Sequence, residues 1–275
     1  MPDFSTLVHA GLHNPRVKQY LAIKNNTKSN PENFACLEGA NMLSQALKAG
    51  LEFCCFFVCP QLLRGDAGKH IAQKIIASGT LTYVVSEKVL GHLVDWEGPD
   101  GLTAIVRLPR FDWCDIMLST HNALLVLDGL QIPGNIGTII RCADGAGADG
   151  VIITNRQQRL THPRLIRASM GSLFAFPVIE AEASAAISWL KYHRFKIITT
   201  DTDATVSYRQ IDYQGRIAVV MGNERHGISN EWYAAQGASV FIPMNGRADS
   251  LNVGNASVLM LYEMVHHQGR VNVPC

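Results

Sequence analysis

Polar side chains follow three apolar, strand-like segments in the second half of the 275-residue chain. The segments are ALLVLD (residues 123–128), IAVVMG (217–222) and SVFIPM (239–244). Ligands bind beyond the carboxyl ends of the strands in parallel sheets, so these loops predict a site. An anion or a hydroxyl group of a substrate would suit their side chains, which carry amide, hydroxyl, carboxylate and guanidinium groups. The candidates are Asn135, Arg141, Glu224, Ser250 and Asn252.

Most of these residues also have a structural explanation. Asn135 is placed to cap the helix that follows the first strand, and Ser250 is placed to cap the last long helix. Glu224 could be an acid on a surface turn. Arg141 differs, because it lies about two turns into an apolar helix, where a guanidinium needs a carboxylate or a phosphate.

Gly145, Gly147 and Gly150 spell GxGxxG, the pattern of a dinucleotide-binding turn. That pattern must follow a strand and open a helix, whereas here it ends a helix and leads into the strand GVIIT. The acidic residue expected about 20 positions later is also missing. We therefore predict a helix C-cap and a turn, which disfavours a nucleotide-dependent α/β enzyme.

Strand-length apolar runs alternate with helical segments over residues 116–275, which predicts a mostly parallel sheet covered on both faces. Residues 1–115 are predicted as a smaller α/β domain that starts with a polar stretch. Its expected elements include a helix over residues 34–50, a strand over 51–59 and a short helix capped by Ser86. The predicted fold class is α/β with two domains.

Composition is typical of a globular protein, since 47% of the residues are hydrophobic and 17% are charged. The N-terminus does not resemble a signal peptide, and no apolar run reaches the ~18 residues of a membrane-spanning helix. The seven cysteines include no CxxC pair, and those in LEFCCFFVCP are expected in the core rather than on zinc. We expect a cytoplasmic protein that binds no metal and does not associate with a membrane.

Basic residues are unevenly distributed along a chain whose net charge is only +1. No Asp or Glu occurs from Gly150 to Ile179, and a smaller basic cluster lies near the N-terminus. Local basic patches suit an enzyme that recognises RNA, although solvated charged faces explain them as well. The candidate RNA-binding residues are Arg16, Lys18, Arg156, Arg159, Arg164 and Arg167.

Taken together, the three loops resemble the motifs of the SpoU (TrmH) family of the SPOUT superfamily, whose members are RNA ribose 2′-O-methyltransferases. The resemblance rests on NxGxxxR at Asn135, Gly137 and Arg141, the GNE turn at 222–224, and IPM followed by SLNV at 242–253. Order, spacing and strand–loop–helix context match over about 140 residues. RASMGSLFAFPV also resembles the family's segment between motifs.

The resemblance implies a C-terminal SPOUT catalytic domain with a parallel sheet and a deep trefoil knot. It also implies that this domain forms a homodimer. LEGANMLSQALKAG and GLTAIVRLP look like the small α/β RNA substrate-binding domain of the ribosomal-RNA-modifying members. Family members that modify a tRNA D-loop typically lack that domain, so ribosomal RNA is the expected substrate. The alternatives are a tRNA 2′-O-methyltransferase and a catalytically inactive RNA-binding paralogue.

The same resemblance implies S-adenosyl-L-methionine as the cofactor and places the five candidates named above around the reacting atoms. Arg141 would act as a base or as a clamp on the neighbouring phosphate. Because a free guanidinium keeps its proton to strongly alkaline pH, the clamp needs the smaller perturbation. The implied cofactor-binding residues are Thr200, Gly222, Asn223, Ile242, Pro243, Met244, Leu251 and Asn252.

One departure from the family pattern concerns the start of the last helix. Family members commonly have SLNVSVA, whereas this chain has Gly254 and Asn255 after SLNV. Gly254 should weaken a helix by roughly 0.5–1 kcal/mol relative to Ala. We interpret it as a packing variant, and it is also the best support for the inactive paralogue.

If the arginine-rich stretch binds RNA phosphates, replacing Arg156 and Arg159 with Ala will flatten the salt dependence of RNA binding. Each lost contact reduces the slope of log affinity against log salt by about 0.7 for single strands. Titrations of RNA at several salt concentrations measure this slope. An unchanged slope would identify these arginines as a solvated face.

Overall fold

The computed structural model describes residue 4 and residues 6–63, 65–95 and 100–270. Its internal contacts divide the chain into two compact units. The N-terminal unit comprises residues 1–109 together with 161–175, and the C-terminal unit comprises residues 110–160 together with 176–275.

The N-terminal unit is built on a five-stranded mixed sheet with the order β1-β4-β3-β5-β2. Strand β5 is antiparallel to β2 and β3, and the other pairs are parallel. Its elements are β1 (Val8–His9), α1 (Pro15–Lys24), β2 (Phe34–Glu38), α2 (Ala40–Lys48), β3 (Glu52–Val58), α3 (Gly65–Ala77), β4 (Thr82–Val84), α4 (Glu87–Leu93) and β5 (Leu102–Arg107).

The start of this unit differs from the prediction in two ways. The expected helix over residues 34–50 is wrong, because Phe34–Glu38 pairs with β5 and only Ala40–Lys48 is helical. Gly39 has φ +85°, which separates the strand from the helix. Helix α1 was not predicted, because most of its residues are polar and obscure the apolar periodicity. Its three buried residues, Val17, Tyr20 and Ile23, lie at three-residue spacing. Ser86 caps α4 as predicted.

The C-terminal unit contains a seven-stranded sheet with the order β10-β12-β9-β11-β6-β7-β8. Every pair in it is parallel, which confirms the predicted sheet type. Its elements are β6 (Asn122–Asp128), α5 (Pro133–Ala146), β7 (Gly150–Thr154), β8 (Val178–Glu180), α7 (Ala183–Tyr192), β9 (Lys196–Thr200), β10 (Val206–Ser207), β11 (Arg216–Met221), α8 (Asn230–Ala235), β12 (Ala238–Phe241) and α9 (Val253–His267). Helix α6 (Pro163–Ser169) lies between β7 and β8 in sequence but belongs to the N-terminal unit.

Several single features bear on the sequence predictions. Helix α5 ends before Gly147, which has φ +74° and caps it, so GxGxxG is a helix end as predicted. In the N-terminal unit, Cys55 and Cys59 are buried, and burial raises the pKa of the Cys55 thiol to about 12. No helix among the described residues has the length and apolarity that crossing a bilayer requires.

The carboxyl ends of neighbouring strands lie level with one another in the C-terminal sheet. Thr200 at the end of β9 pairs with Val240 of β12, and Met221 at the end of β11 pairs with Leu127 of β6. Four loops therefore leave the sheet at the same edge, and three of them contain the candidate residues.

The loop after β11 turns back on itself at once. Asn223 and Gly227 exchange two backbone hydrogen bonds of 2.8 and 3.0 Å. A Cβ at residue 222 would lie 2.5 Å from the carbonyl carbon of Gly227 and 2.7 Å from the backbone nitrogen of Ile228. Only glycine fits at position 222, because the returning backbone fills the space of a side chain.

Gly222→Ala is therefore expected to open this turn and lower the free energy of unfolding by about 1–3 kcal/mol, the usual cost of overpacking. Amide hydrogen exchange at Asn223 and Gly227 should accelerate. Chemical unfolding and exchange measurements on the purified protein test both effects.

Gly145→Ala is the matched control, because a Cβ there meets nothing within 4 Å on the exposed side of α5. It should leave stability unchanged or raise it by up to about 1 kcal/mol. Equal stabilities of the Gly222→Ala variant and the wild-type protein would contradict the steric argument.

Candidate active site

The loop after β6 does not use Asn135 as the cap of α5. The helix begins at Pro133 with Ile132 as its N-cap, so the predicted capping role of Asn135 is wrong. Proline favours the first helical position, and the helix therefore starts three residues upstream of the predicted start. Asn135 thus lies in the first turn, and its side-chain amide donates a 2.9 Å hydrogen bond to Glu224 Oε1.

Glu224 connects the loop after β11 to the loop after β6. Besides Asn135, the backbone N–H of Gln131 donates to its second carboxylate oxygen at 3.4 Å. The neighbouring Asn223 makes a parallel connection, because its side-chain amide donates to the carbonyl of Gly129 at 2.6 Å. Glu224 is exposed, as a surface turn acid would be, but its bonds hold it against the first loop.

The third loop joins the same group through Asn252. Its side-chain oxygen accepts a 2.9 Å hydrogen bond from the N–H of Gly254, which makes Asn252 the N-cap of α9. Its amide group donates to Asn135 Oδ1 at 3.5 Å. The predicted cap Ser250 is wrong, because it lies two residues before the cap and is exposed.

Arg141 lies on the exposed side of α5, two helical turns after Pro133. The expectation that its charge is held in an apolar environment is wrong, because only the residues beside it, such as Ile140 and Ala143, are buried. Across the described part of the chain, no carboxylate forms an ion pair with Arg141. Its guanidinium is therefore accessible to an external anion.

Asp128, the last residue of β6, was not among the residues predicted from the sequence. Its side chain is buried, with 2% of the residue exposed, and accepts hydrogen bonds from neutral donors only. These are the Thr154 hydroxyl at 2.9 Å, the Asn155 amide at 2.7 Å and the Ser229 backbone N–H at 2.8 Å. One carboxylate thus ties together the loops that follow β6, β7 and β11. The sequence signal that could have identified Asp128 is a carboxylate at the end of an otherwise apolar strand.

The expected cofactor residues lie where β11, β9 and β12 end side by side. Thr200 occupies the middle strand, and its hydroxyl donates a 2.9 Å hydrogen bond to the carbonyl of Val220 on β11. The backbone N–H groups of Ile242, Met244 and Leu251 form no hydrogen bond within the described residues. Free backbone donors beside partly exposed apolar side chains fit S-adenosylmethionine, which offers hydrogen-bond acceptors along its length and an adenine ring that packs on apolar surface.

A tyrosine supports the loop that follows Thr200. The Tyr233 hydroxyl on α8 donates a 2.6 Å hydrogen bond to Asp201 Oδ2. Burial, followed by this bond to a carboxylate, raises the pKa of Tyr233 to about 12. The phenol therefore keeps its proton at neutral pH and holds Asp201 against α8.

Two of the candidate RNA-binding arginines are paired with acids distant in sequence. Arg156 contacts Glu180 at 3.1 Å, and Arg167 contacts Glu38 at 3.0 Å within the N-terminal unit. Burial is the main cause that raises the pKa of Glu38. The other candidates lie as follows: Arg16 donates to Gln19, Lys18 and Arg164 are exposed, and Arg159 is half-buried. No cluster of metal-ligating side chains occurs among the residues that the structure describes.

Comparison with protein families finds two adjacent matches. The SpoU rRNA Methylase family matches residues 122–262, the stretch that contains all three loops. The MRM3-like substrate binding domain matches residues 14–104, within the N-terminal unit.

Similarity to individual proteins extends over nearly the whole chain. The 23S rRNA (guanosine(2553)-2′-O)-methyltransferase RlmP of Bacillus subtilis is 25% identical over 251 residues, 91% of this chain and 96% of its own. The crystal structure of an AdoMet-bound rRNA methyltransferase from Sinorhizobium meliloti is 32% identical, with a TM-score of 0.83 over 94% of this chain and 97% of that one. The SpoU methyltransferase AviRb from Streptomyces viridochromogenes, in complex with AdoMet, is 25% identical with a TM-score of 0.80 over 94% and 100%. The resemblance inferred from the three motifs is thus confirmed, and the chain belongs to the SpoU rRNA methylase family.

Proposed function

We propose that this site transfers a methyl group from S-adenosylmethionine to a ribose 2′-hydroxyl of ribosomal RNA. The observation that carries the proposal is the hydrogen-bonded group of Asn135, Glu224 and Asn252, one residue from each motif. Arg141 lies further along the same helix as Asn135 and is exposed. The methyltransferase activity and the cofactor expected from the sequence are confirmed by the family and by its AdoMet-bound relatives.

The reaction depends mainly on alignment, because the hydroxyl oxygen must approach the methyl carbon in line. S-adenosylmethionine, when bound, supplies that carbon activated by its positive sulfur. In our proposal the backbone around Thr200, Gly222, Ile242 and Leu251, with Asn223, Pro243 and Met244 beside them, holds this group. The fixed amides of the site then orient the ribose.

Arg141 is proposed to bind the phosphate next to the target ribose and to polarise its hydroxyl. An exposed guanidinium without an internal carboxylate can bind an oxyanion in a bidentate manner. In this proposal Glu224 and Asn252 accept and donate hydrogen bonds around the ribose, and Ser250 supplies a hydroxyl from the same loop as Asn252. With Arg141 as a clamp, the hydroxyl proton passes to solvent as the oxygen bonds to the methyl carbon and the carbon–sulfur bond breaks. In the competing role Arg141 itself removes this proton.

Target choice is proposed to reside in residues 1–115 and chemistry in residues 116–275. The match of the N-terminal half to a substrate binding domain supports this division. Arg16, Lys18, Arg164 and Arg167 in the N-terminal unit and Arg156 and Arg159 in the C-terminal unit are the proposed contacts to RNA. A ribosomal RNA substrate is also our reason to propose a cytoplasmic location.

We further propose that the C-terminal unit is knotted and forms a homodimer. The all-parallel strand order and the packing of α9 against α5 and β6 support the knot. Large apolar side chains exposed on the C-terminal unit, among them Ile132, Leu259 and Tyr262, support a subunit interface.

The alternative of an inactive paralogue depends on the glycine at position 254. At Gly254 a Cβ would lie 3.0 Å from Asn252 Oδ1, so the glycine accommodates the capping side chain rather than removing it. The site keeps its asparagine, and the relatives are named as methyltransferases. Both points favour the active enzyme.

The variants Arg141→Ala and Arg141→Lys are expected to fold and to bind S-adenosylmethionine almost normally, because Arg141 is exposed and forms no ion pair within the described ranges. Both should lose turnover by roughly 10²-fold or more, the effect of removing a charge-stabilising or acid–base group. Calorimetry measures cofactor binding, and transfer of labelled methyl groups measures turnover.

Lys191→Ala on the exposed face of α7 is the control and should keep normal turnover. Near-normal turnover of Arg141→Lys would mean that a positive point charge suffices, and both the base and the bidentate clamp would be excluded. Unfolding of both Arg141 variants would make Arg141 a structural residue.

The substrate is tested by mapping 2′-O-methyl groups in ribosomal RNA after incubation with the protein. We expect a new site with the wild-type protein and none with Arg141→Ala. Methylation of tRNA without methylation of ribosomal RNA would overturn the proposed substrate.

A further inference from the structure

A groove of about 420 Å³ lies in the N-terminal unit, away from the motif loops in sequence. One side is formed by Pro15, Lys18 and Ala22 of α1, and the other by the segment from Lys28 to Phe34. Its volume is in the range of sites that hold small organic groups, about 300–1,000 Å³. The groove therefore has room for a ligand of the size of a nucleotide.

The charges around the groove are suited to an anion. Lys18 and Lys28 lie on its two sides, both are exposed, and neither has an ion-pair partner in the described ranges. The acid of the groove, Glu32, is ion-paired with Arg107, which also pairs with Glu52. Arg107 is shared between two carboxylates and offsets only part of the charge of Glu32, but the two lysines outnumber this one acid and leave the lining with a net charge of +1.

An aromatic ring completes the apolar part of the groove. Phe34 is half-buried, and its backbone is fixed by Asn30, which donates to the Phe34 carbonyl at 2.8 Å and accepts from its N–H at 2.9 Å. The Arg107 guanidinium lies 4.9 Å from the centre of the ring. The ring is thus held in place before any ligand arrives.

We propose that this groove binds one unpaired nucleotide of the RNA substrate. The base would lie against Phe34 and the apolar surface of α1, and Lys18 and Lys28 would contact the adjoining phosphates. Proteins recognise RNA mainly at unpaired bases, which they stack on aromatic rings, while basic side chains follow the backbone. This assignment rests on the proposed function, since it supplies a specific contact for the RNA that the C-terminal unit modifies.

The test compares Lys18→Ala/Lys28→Ala with the control pair Lys48→Ala/Lys74→Ala, which removes two exposed lysines of the same unit outside the groove. The full-length proteins bind a labelled single-stranded oligouridylate and a ribosomal RNA transcript, without cofactor, at several salt concentrations. The groove pair should lower affinity and reduce the salt slope by about 1.4, from two phosphate contacts. The control pair should change the slope by less than half of that.

Phe34→Leu keeps an apolar wall but removes the aromatic face. We expect it to weaken oligouridylate binding by about tenfold or more, the range of a lost base stack, with an unchanged salt slope. Thermal unfolding checks that it folds, and if it does not, the lysine pair alone decides.

Equal RNA affinities and slopes for the groove pair and the control pair would overturn the proposal. Because binding is measured without methyl transfer, the two hypotheses fail separately. If the wild-type protein methylates no RNA, but the groove variants bind RNA more weakly than it does, the proposed function alone is contradicted. Normal methylation with unaltered binding by the groove variants would contradict the groove alone.

Discussion

The arrangement of the site depends on one buried carboxylate at the end of a strand. Asp128 is shielded from water and forms no ion pair with any residue that the structure describes, so its charge is stabilised by donors from other loops. Leaving such a group unsatisfied is costly, and the loops after β7 and β11 are therefore held close to the end of β6. The second link, from Asn223 to Gly129, acts in the same direction. Asn135 and Glu224 can meet because the loops that carry them share this anchor. Asn252, on the loop after β12, joins them through its own hydrogen bond to Asn135.

The parallel sheet provides the geometry on which that anchor acts. Neighbouring strands end at the same level, and the absence of a side chain at Gly222 lets the chain reverse directly after β11. Glu224 is consequently presented to Asn135 rather than to solvent alone. Asn252 then joins the group by capping α9, the helix that packs against α5. Backbone constraints and side-chain bonds thus favour the same arrangement.

Much of this could be predicted from the sequence, because apolar periodicity determines the strands and the motifs mark their ends. The parallel sheet, the Gly147 helix end and the family were obtained in this way. The caps of α5 and α9 were not, since Asn135, Ser250 and Asn252 are all suitable types and only tertiary contacts select among them. Similarly, the apolar residues of Phe34–Glu38 are compatible with a helix as well as a strand, and only the pairing with β5 selects the strand. The ion pairs of Arg156 and Arg167 could not be predicted either, because the acids that form them are distant in sequence.

The most direct test of this account is the turnover of Asp128→Asn, measured as 2′-O-methyl transfer to ribosomal RNA together with amide exchange at Ser229. The substitution keeps the size of the side chain but replaces a charged acceptor, a change that costs about 1.5–3 kcal/mol when hydrogen bonds to a charge are lost. We predict a folded protein whose turnover falls at least tenfold and whose Ser229 amide exchanges faster. Wild-type turnover with wild-type protection of Ser229 would contradict the role of Asp128 as the anchor of the site.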